Sequence, residues 1–542
     1  MREIATYGWD VIYAMQYDMI NQSIQADHRY PKQFSAEKKI VGSLYSISGS
    51  WASWTLKNGG SGKNIWLECF VSAGSLFNEN NEVIYDLTAT RLTIQVNLAK
   101  FHDQTKSIKD SSSVNEGKAW LLRVNSQATE NSKAVVILAS EYRNIPAEDS
   151  AIIDQLFDNY FNNNIQQFDQ IFTIVMLELE AKDKDLQWIK PSAFSYAVQS
   201  VPVGKSDDLF GCLNRIDGKT AIEHLQQSLD ARIGNYFSNH VNGLIIVSKE
   251  IYTKHFLLPA ALNLLKGSKA EDFAISEQGL SIHNKVPLTW GNFVIGSEES
   301  PETVAPLIPA NGLQINLQGE NINLNVSGAT FRPKSGGVTT TININQSMGF
   351  TTVRKNANEV IFIPDLNNIK QANINISNKV DKGSIIGQII GGVLILMASI
   401  VAGVATWRDY SIVTAISGGT RISGETIAYT YKISGAVPKE FYRIAFVTAD
   451  SMDNHKIIPV SLPWFNFLAV GQSVVANFTR AAVSATDLVK ASLNKEYVAI
   501  STFEQFVHNF TNTHSLSNSK IAKIESAQFA DSLVIGVKLA TG

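Results

Sequence analysis

The sequence has little cysteine and little charge. Its 542 residues include two cysteines, Cys69 and Cys212, so a disulfide framework is excluded and stability must come from packing. Charged residues make up 18%, below the roughly 25% of an average soluble protein. The net charge is −3, whereas nucleic-acid-binding domains are usually basic, so we expect no nucleic-acid partner. Hydrophobic residues make up 44%, enough for packed cores.

Catalytic and metal-binding motifs are also missing. The sequence contains no GxSxG nucleophile elbow, no GxGxxG after a strand and no HExxH. Neither cysteine belongs to a CxxC pair, and the nine histidines are dispersed. We therefore predict no catalytic residues, no metal and no cofactor. This absence favours a binding or structural protein over an enzyme.

The first 24 residues do not fit the pattern of a secretory signal, and we expect none there. Polar residues, among them Asp10 and Asp18, interrupt the first 24 positions, where a signal peptide needs an uninterrupted apolar stretch. We expect synthesis in the cytoplasm, and any release would use a route other than the general secretory pathway.

One segment, 383–407, has no charged residue and is rich in Leu, Ile, Val and Ala. Its length suffices for a membrane span, and its tandem GxxxG spacing permits close helix packing in lipid. Flanking Lys382 and Arg408 give no charge asymmetry to orient a span. Three interpretations stay open: a buried element, an element exposed only under some conditions, and a permanent span. We expect one of the first two. The candidate membrane contacts are Gly383, Gly387, Gly391, Leu394, Leu396 and Trp407.

Apolar periodicity changes along the chain. Apolar residues recur at i, i+3 and i+4 spacing over 149–172, which predicts one helix with a bulky face. Further helices are predicted over 220–233 and 249–265, the latter bent or divided at Pro259. Most of the first 150 residues alternate with a period of two, which predicts strands.

The stretch 310–377 alternates apolar residues with Asn and Gln, which predicts an antiparallel sheet with one apolar face. The order of elements indicates an α+β fold with large curved antiparallel sheets, each packed on a long apolar helix. We predict an N-terminal half, 1–300, and a β-rich C-terminal half, 301–542.

Five short motifs occur in an order that resembles a known family. They are Thr6-Tyr7-Gly8-Trp9-Asp10-Val11; Trp54 followed by Asn58-Gly59-Gly60-Ser61; Trp188-Ile189-Lys190-Pro191 with Phe194; Gly243-Leu244-Ile245-Ile246, Ser248-Lys249-Glu250 and Leu257-Leu258-Pro259; and Leu288-Thr289-Trp290-Gly291. This set, within 1–295, resembles the clostridial forty-seven-kilodalton protein and OrfX family, which is encoded beside botulinum-type neurotoxin genes.

The resemblance implies an elongated, tubular lipid-binding (TULIP) architecture, with curved antiparallel sheets wrapped around long helices. It also implies lipid or phosphoinositide and other proteins of the gene cluster as partners, and it carries no catalytic residues. A helix that rests on a sheet can move away from the sheet and admit an acyl chain between them. The candidate groove residues are Ile153, Leu156, Phe157, Tyr160, Phe161, Phe168, Phe256, Leu258 and Leu262.

The leading hypothesis is a non-enzymatic lipid- or membrane-interacting protein, an accessory of a bacterial toxin-type gene cluster. One alternative is a structural or assembly protein with a closed groove. The other is a membrane-inserting toxin component that uses 383–407.

Overall fold

The computed structural model describes residues 4–26, 28, 30–109, 116–124, 133–168, 174–177, 188, 191–201, 208–258, 261–262, 265, 267–276, 279–289, 293–295, 302–332, 338–356, 359–369, 372–380, 412–422, 426–435, 514–516 and 520–540. The chain divides into two compact units. The first unit comprises 4–246, 506–526 and 534–542, and the second is mainly 247–505 and 527–533. The division at residue 300 stays a prediction, because compact units need not fold independently.

The chain is rich in strands. Those of the N-terminal part are β1 (Val11–Gln16), β2 (Gln33–Ile40), β3 (Ser43–Gly62), β4 (Asn64–Phe77), β5 (Val83–Asp86), β6 (Arg91–Val96), β7 (Leu98–Lys109), β8 (Glu116–Val124), β9 (Val135–Glu141), β10 (Ile174–Leu177), β11 (Ala193–Gln199), β12 (Leu209–Arg215) and β13 (Gly243–Val247). The others are β14 (Phe273–Ile275), β15 (Ser281–Asn284), β16 (Leu288–Thr289), β17 (Phe293–Ile295), β18 (Glu302–Val304), β19 (Leu307–Ile308), β20 (Leu313–Gln318), β21 (Asn321–Phe331), β22 (Val338–Asn356), β23 (Glu359–Ile369), β24 (Ala372–Val380), β25 (Ile412–Ile422), β26 (Thr426–Gly435), β27 (His514–Leu516), β28 (Lys520–Phe529) and β29 (Leu533–Ala540).

Helices are short by comparison. The α-helices include α1 (Tyr17–Ala26), α2 (Ala147–Asn163) and α3 (Lys249–Tyr252), the last of which continues into a π-helical turn, Thr253–Leu257. Turns of 3-10 helix are formed by Ile165–Phe168, Ala231–Tyr236 and Ala270–Asp272.

The first unit is built on a 12-stranded sheet with the order β28-β29-β13-β1-β12-β11-β3-β4-β6-β9, in which β2 also pairs with β3 and β5 with β4. From β1 to β9 every neighbouring pair is antiparallel. A four-stranded sheet has the order β27-β10-β8-β7. α1 packs on β3, and α2 packs on β2, β3 and β9.

The second unit contains an 11-stranded sheet with the order β14-β15-β20-β21-β22-β24-β26-β25, joined by β16, β19 and β23. The pairs from β14 to β25 along this order are antiparallel. In β20 the apolar Leu313, Ile315 and Leu317 are buried and alternate with polar residues. The sheet predicted over 310–377 is therefore confirmed where the structure describes it, and so is the α+β class with large antiparallel sheets.

The prediction of long apolar helices is wrong for the described residues. α2 is the longest α-helix there, with 17 residues, and α3 has four. The helix predicted over 149–172 begins at Ala147 and ends at Asn163, because a run of three asparagines follows Phe161. Asparagine side chains compete for backbone hydrogen bonds, and Asn164 Nδ2 donates to the carbonyl of Tyr160 at 2.8 Å.

The other two helix predictions have different outcomes. The stretch 249–265 is helical over 249–258, with a π-helical turn at Thr253–Leu257, and again at 261 and 262, while Pro259 lies outside the described residues. The helix predicted over 220–233 is wrong, since irregular chain precedes the 3-10 turn Ala231–Tyr236. Conversely, α1 was not predicted, although Tyr17, Ile20 and Ile24 are buried at helical spacing.

Candidate functional site

The predicted bulky face of α2 exists. Ile153, Leu156, Phe157, Tyr160 and Phe161 are buried along the helix, and Phe168 is buried in the 3-10 turn that follows. Glu148 and Asp149 lie in the first turn, where carboxylates interact favourably with the helix dipole. The 3.6-residue period thus places five of the six side chains against the strands beneath, and the 3-10 turn that follows adds Phe168.

Seven aromatic rings form one cluster under α2. This aromatic cluster consists of Phe34, Trp51, Trp54, Phe157, Tyr160, Phe161 and Phe168. Ring centroids lie 4.7 Å apart for Phe34 and Trp51 and 4.9 Å apart for Trp54 and Phe168. Such tilted and edge-on pairs stabilise a core beyond their buried area. In this conformation the predicted groove residues of α2 are therefore packed core.

A β-bulge aims two tryptophans at α2. Trp51 and Trp54 are three positions apart, so a regular strand would place them on opposite faces of the sheet. The register between β3 and β4 shifts between Trp51 and Ser53, which puts an extra residue between them. Both indoles consequently join the aromatic cluster.

The hydroxyl of Tyr160 is the polar atom at the rim of this cluster. It accepts from Trp51 Nε1 at 3.3 Å and donates to Gln167 Oε1 at 2.5 Å, with the carbonyl of Gln33 also within 3.3 Å. Burial raises the pKa of Tyr160 to about 12. The phenol is thus a neutral hydrogen-bonding group at physiological pH.

Trp54 holds a buried donor. Its side chain is fully buried, and among the residues that the structure describes, its Nε1 has no hydrogen-bond partner. An unpaired buried donor costs about 1–3 kcal/mol. The Nε1 of Trp54 is therefore a donor inside the aromatic cluster that is available to a ligand acceptor.

A polar cleft opens beside Tyr160, where α2 ends next to the β2–β3 hairpin. This Asn cleft has a volume of about 590 Å³, and its lining residues are Ser35, Ala36, Glu37, Ser46, Ile47, Ser48, Phe77, Asn81, Asn159, Tyr160, Asn163 and Asn164. Its size lies within the roughly 300–1,000 Å³ of small-molecule sites. Tyr160 belongs to both the cleft and the aromatic cluster, so the two are adjacent.

The outer edge of β2 forms one wall of the Asn cleft. Asn159 Nδ2 donates to the carbonyl of Glu37 at 3.1 Å, and Tyr160 reaches that of Gln33. Backbone groups of an antiparallel strand alternate between its two edges, so Ser35 presents its backbone to the same side. The helix and the edge strand are thus tied together at both ends of this wall.

The other predicted groove residues lie in the second unit. Leu258 and Leu262 are half-buried there, and the side chain of Phe256 lies outside what the structure describes. Nearby, Tyr252 contacts Phe529 with ring centroids 4.9 Å apart. The candidate membrane contacts Gly383, Gly387, Gly391, Leu394, Leu396 and Trp407 all lie outside the described residues.

The N-terminal motif has a structural role. Asp10 is buried, with Oδ1 2.8 Å from Lys219 Nζ and Oδ2 accepting from the backbone of Ile216 at 3.0 Å. Trp9 is also buried, and its Nε1 donates to the carbonyl of Gln226 at 2.9 Å. These contacts fasten β1 to the segment after β12, which explains why the motif combines an acid and a tryptophan.

The Asn-Gly-Gly motif is also structural. The backbone N–H of Gly59 donates to the buried carboxylate of Asp208 at 2.7 Å. Gly59 has φ +122°, and a Cβ there would lie 2.1 Å from the Trp66 ring. The hairpin predicted at this motif exists, but β3 continues through it and the chain turns at Gly62 and Lys63.

The Asn cleft was not predicted from the sequence. Its polar residues come from β2, β3, the turn between β4 and β5 and the end of α2, which no local pattern connects. The run Asn162–164 was the available signal, since it marks the helix end around which the cleft forms.

The described residues contain neither a membrane-spanning helix nor a metal-ligand cluster. No helix there combines the length and hydropathy that crossing a bilayer requires. Nor, in the same part of the chain, do three or more His, Cys, Asp or Glu residues come together as metal ligands.

Together these features define a strand-rich α+β protein in which an amphipathic helix and a polar cleft flank a large antiparallel sheet. The model of the OrfX-like family, described as protein OrfX2/OrfX3/P47, matches residues 6–423. The chain therefore belongs to the OrfX-like family, a family of botulinum neurotoxin gene clusters.

Similar sequences and structures agree with this membership. OrfX3 of Clostridium botulinum (strain Kyoto / Type A2) is 25% identical over 294 residues, 51% of this chain and 58% of that protein. OrfX3 of Paraclostridium bifermentans is 24% identical over 300 residues, 51% of this chain and 57% of that protein. The match thus spans less than two thirds of these curated relatives.

Two solved structures share the fold. P47 from Clostridium botulinum A2 superposes with a TM-score of 0.52 at 16% identity, covering 80% of this chain and 98% of that one. P47 of Clostridium botulinum E1 gives 0.54 at 14% identity, covering 98% of this chain and 100% of that one. At such identities the likeness shows the fold alone.

Proposed function

We propose that this protein is a non-enzymatic accessory of a toxin-type gene cluster and that it binds a lipid of the kind carried by tubular lipid-binding proteins. Membership of the OrfX-like family supports the cluster role. The observation that carries the lipid role is the adjacency of the aromatic cluster and the Asn cleft at Tyr160. An apolar volume beside a polar opening matches the two halves of an amphiphile.

The acyl chain enters between α2 and β3. α2 rests on the strands mainly through side chains, so it can move away without breaking the β3–β4 ladder. Each methylene of an acyl chain that leaves water for this interior contributes about 0.8 kcal/mol. A few methylenes therefore offset the loss of ring contacts within the aromatic cluster.

Two polar atoms favour a lipid over a plain hydrocarbon. The Nε1 of Trp54, which has no partner among the described residues, is a donor that an ester carbonyl of a lipid satisfies. The hydroxyl of Tyr160 marks the boundary between the chain and the head group, which occupies the Asn cleft.

Quenching of tryptophan fluorescence by brominated lipids tests this proposal. Bromine on an acyl chain quenches only indoles in contact with it, so bromination should reduce the emission of the full-length protein compared with the same lipid unbrominated. Replacing both Trp51 and Trp54 with Phe should remove most of this effect. Trp66→Phe is the matched control and should keep it. Equal emission with both lipids would overturn the proposal.

A second candidate is an assembly protein whose groove stays closed and whose partners are other proteins of the same cluster. The tight packing of the aromatic cluster favours it, because Phe157 and Phe161 are fully buried in this conformation. Absence of quenching, together with a stable complex when the cluster proteins are co-expressed, would select this function instead.

A further inference from the structure

The Asn cleft is lined by neutral and acidic groups. Seven of its lining residues are Ser or Asn, one is Glu37, and none is Lys or Arg. Lys39 follows Glu37 two positions along β2 but lies beyond the lining. A polyanionic head group is held most strongly by Arg and Lys side chains, and this lining supplies neither.

Three of the four asparagine amides in the lining donate to the protein itself. Asn159 Nδ2 donates to the carbonyl of Glu37 at 3.1 Å, Asn163 Nδ2 donates to Asn159 Oδ1 at 2.9 Å, and Asn164 Nδ2 donates to the carbonyl of Tyr160. Within the described part of the chain, the Oδ1 atoms of Asn163 and Asn164 accept no hydrogen bond. The amides thus leave acceptors available to a ligand.

The helix end and the carboxylate at the cleft are both negative. α2 ends at Asn163, so its C-terminal carbonyls, the negative end of the helix dipole, lie at the cleft. The side chain of Glu37 is exposed and forms no ion pair with any described residue. A cation in the cleft is attracted by both, and an anion is repelled by both.

Two aromatic residues complete the lining. Tyr160 contributes its hydroxyl edge, because its ring packs inside the aromatic cluster, whereas Phe77 is only half-buried. The face of an aromatic ring attracts ammonium groups through cation–π interactions, so Phe77 favours a cation. The cleft therefore combines acceptors, a carboxylate and an aromatic ring without a basic residue.

We infer that the Asn cleft binds the ammonium end of a lipid head group, as found in choline and ethanolamine lipids, and disfavours a phosphoinositide head group. This inference rests on the proposed lipid binding and names the class of lipid. The sequence led us to expect either lipid or phosphoinositide as a partner, and this inference disfavours phosphoinositide.

Short-chain lipids that share dioctanoyl chains and differ only in the head group provide the test. We would measure the Kd of the full-length protein for the phosphocholine, phosphoglycerol and phosphatidylinositol phosphate lipids by isothermal titration calorimetry, below their critical micelle concentrations. The phosphocholine lipid should bind at least about threefold more tightly than either anionic lipid, the ratio that a helix terminus and a partly solvated carboxylate give together.

Two exposed substitutions assign the preference to the cleft. Glu37→Gln removes the carboxylate and should reduce the preference for phosphocholine. The matched control is Glu141→Gln, which changes an exposed carboxylate at the end of β9 and should leave the preference unchanged. Asn163→Lys introduces a cation at a helix C-terminus, where it is compatible with folding, and should shift binding toward the anionic lipids.

The outcomes separate the two proposals. Equal binding of all three lipids, or tighter binding of an anionic one, overturns the ammonium assignment and leaves lipid binding intact. Binding of none of them overturns both. A phosphocholine preference that Glu37→Gln and Asn163→Lys leave unchanged places the head group elsewhere and also overturns the assignment.

Discussion

At the scale of single residues, Tyr160 belongs to both the aromatic cluster and the Asn cleft. Its ring packs against Trp51 and Phe161, its hydroxyl bonds to Trp51 and Gln167, and its edge lines the Asn cleft. Tyr160 was predicted from the sequence for its apolar ring. Its contacts with Gln33 and Trp51 could not be predicted, because both residues approach from strands more than 100 positions away.

Tyr160→Phe should change the alkaline limb of the stability profile. The pKa of Tyr160 is raised by burial to about 12 in the folded protein, against about 10 when unfolded. Its contribution is therefore fully present below pH 10 and is lost as pH rises toward 12, because the unfolded phenol ionises first. Between pH 9 and pH 11 the wild type should lose about 1 kcal/mol more unfolding free energy than the variant.

Urea unfolding of both proteins at the two pH values measures this difference. Other buried tyrosines, such as Tyr13 and Tyr17, are present in both proteins, so their ionisation cancels in the comparison. Identical losses in wild type and variant would show that the Tyr160 phenol is not buried as described.

At the scale of elements, α2 and the β2–β3–β4 sheet form one structural module. The sequence predicted this helix from its apolar period, and five of the six candidate side chains lie on the helix itself. It could not predict the bulge at Trp51, because a register shift depends on the partner strand. Nor could it place the Asn cleft, since β2, β3 and α2 are brought together only by the tertiary fold.

Phe157→Ala tests the packing of α2. Phe157 is fully buried between Phe34 and Trp51, so removing its ring should reduce the unfolding free energy by about 3–5 kcal/mol. Gln155→Ala, on the exposed side of the same helix, should change it by less than about 0.5 kcal/mol. Denaturant titrations give both values, and equal midpoints for the two variants would contradict the packing of this face.

At the scale of the whole molecule, the chain returns to its first unit at its C-terminus. Leu539 donates its backbone N–H to Asn242 Oδ1 at 2.7 Å across 297 positions of sequence. Local periodicity carries no information about such pairings, which is why a division at residue 300 was the natural expectation. The five ordered motifs nevertheless pointed to the family, and two of them make structural contacts: Asp10 with Lys219 and Gly59 with Asp208.

We propose that the first unit accommodates a lipid between α2 and its sheet. Native mass spectrometry of the full-length protein, purified without detergent from the cells that express it, tests this most directly. We expect adducts whose masses match those of phospholipids, recovered by organic extraction and diminished in Phe157→Trp, where the larger ring fills the space under α2. Protein at its sequence mass alone, before and after incubation with liposomes, would contradict it.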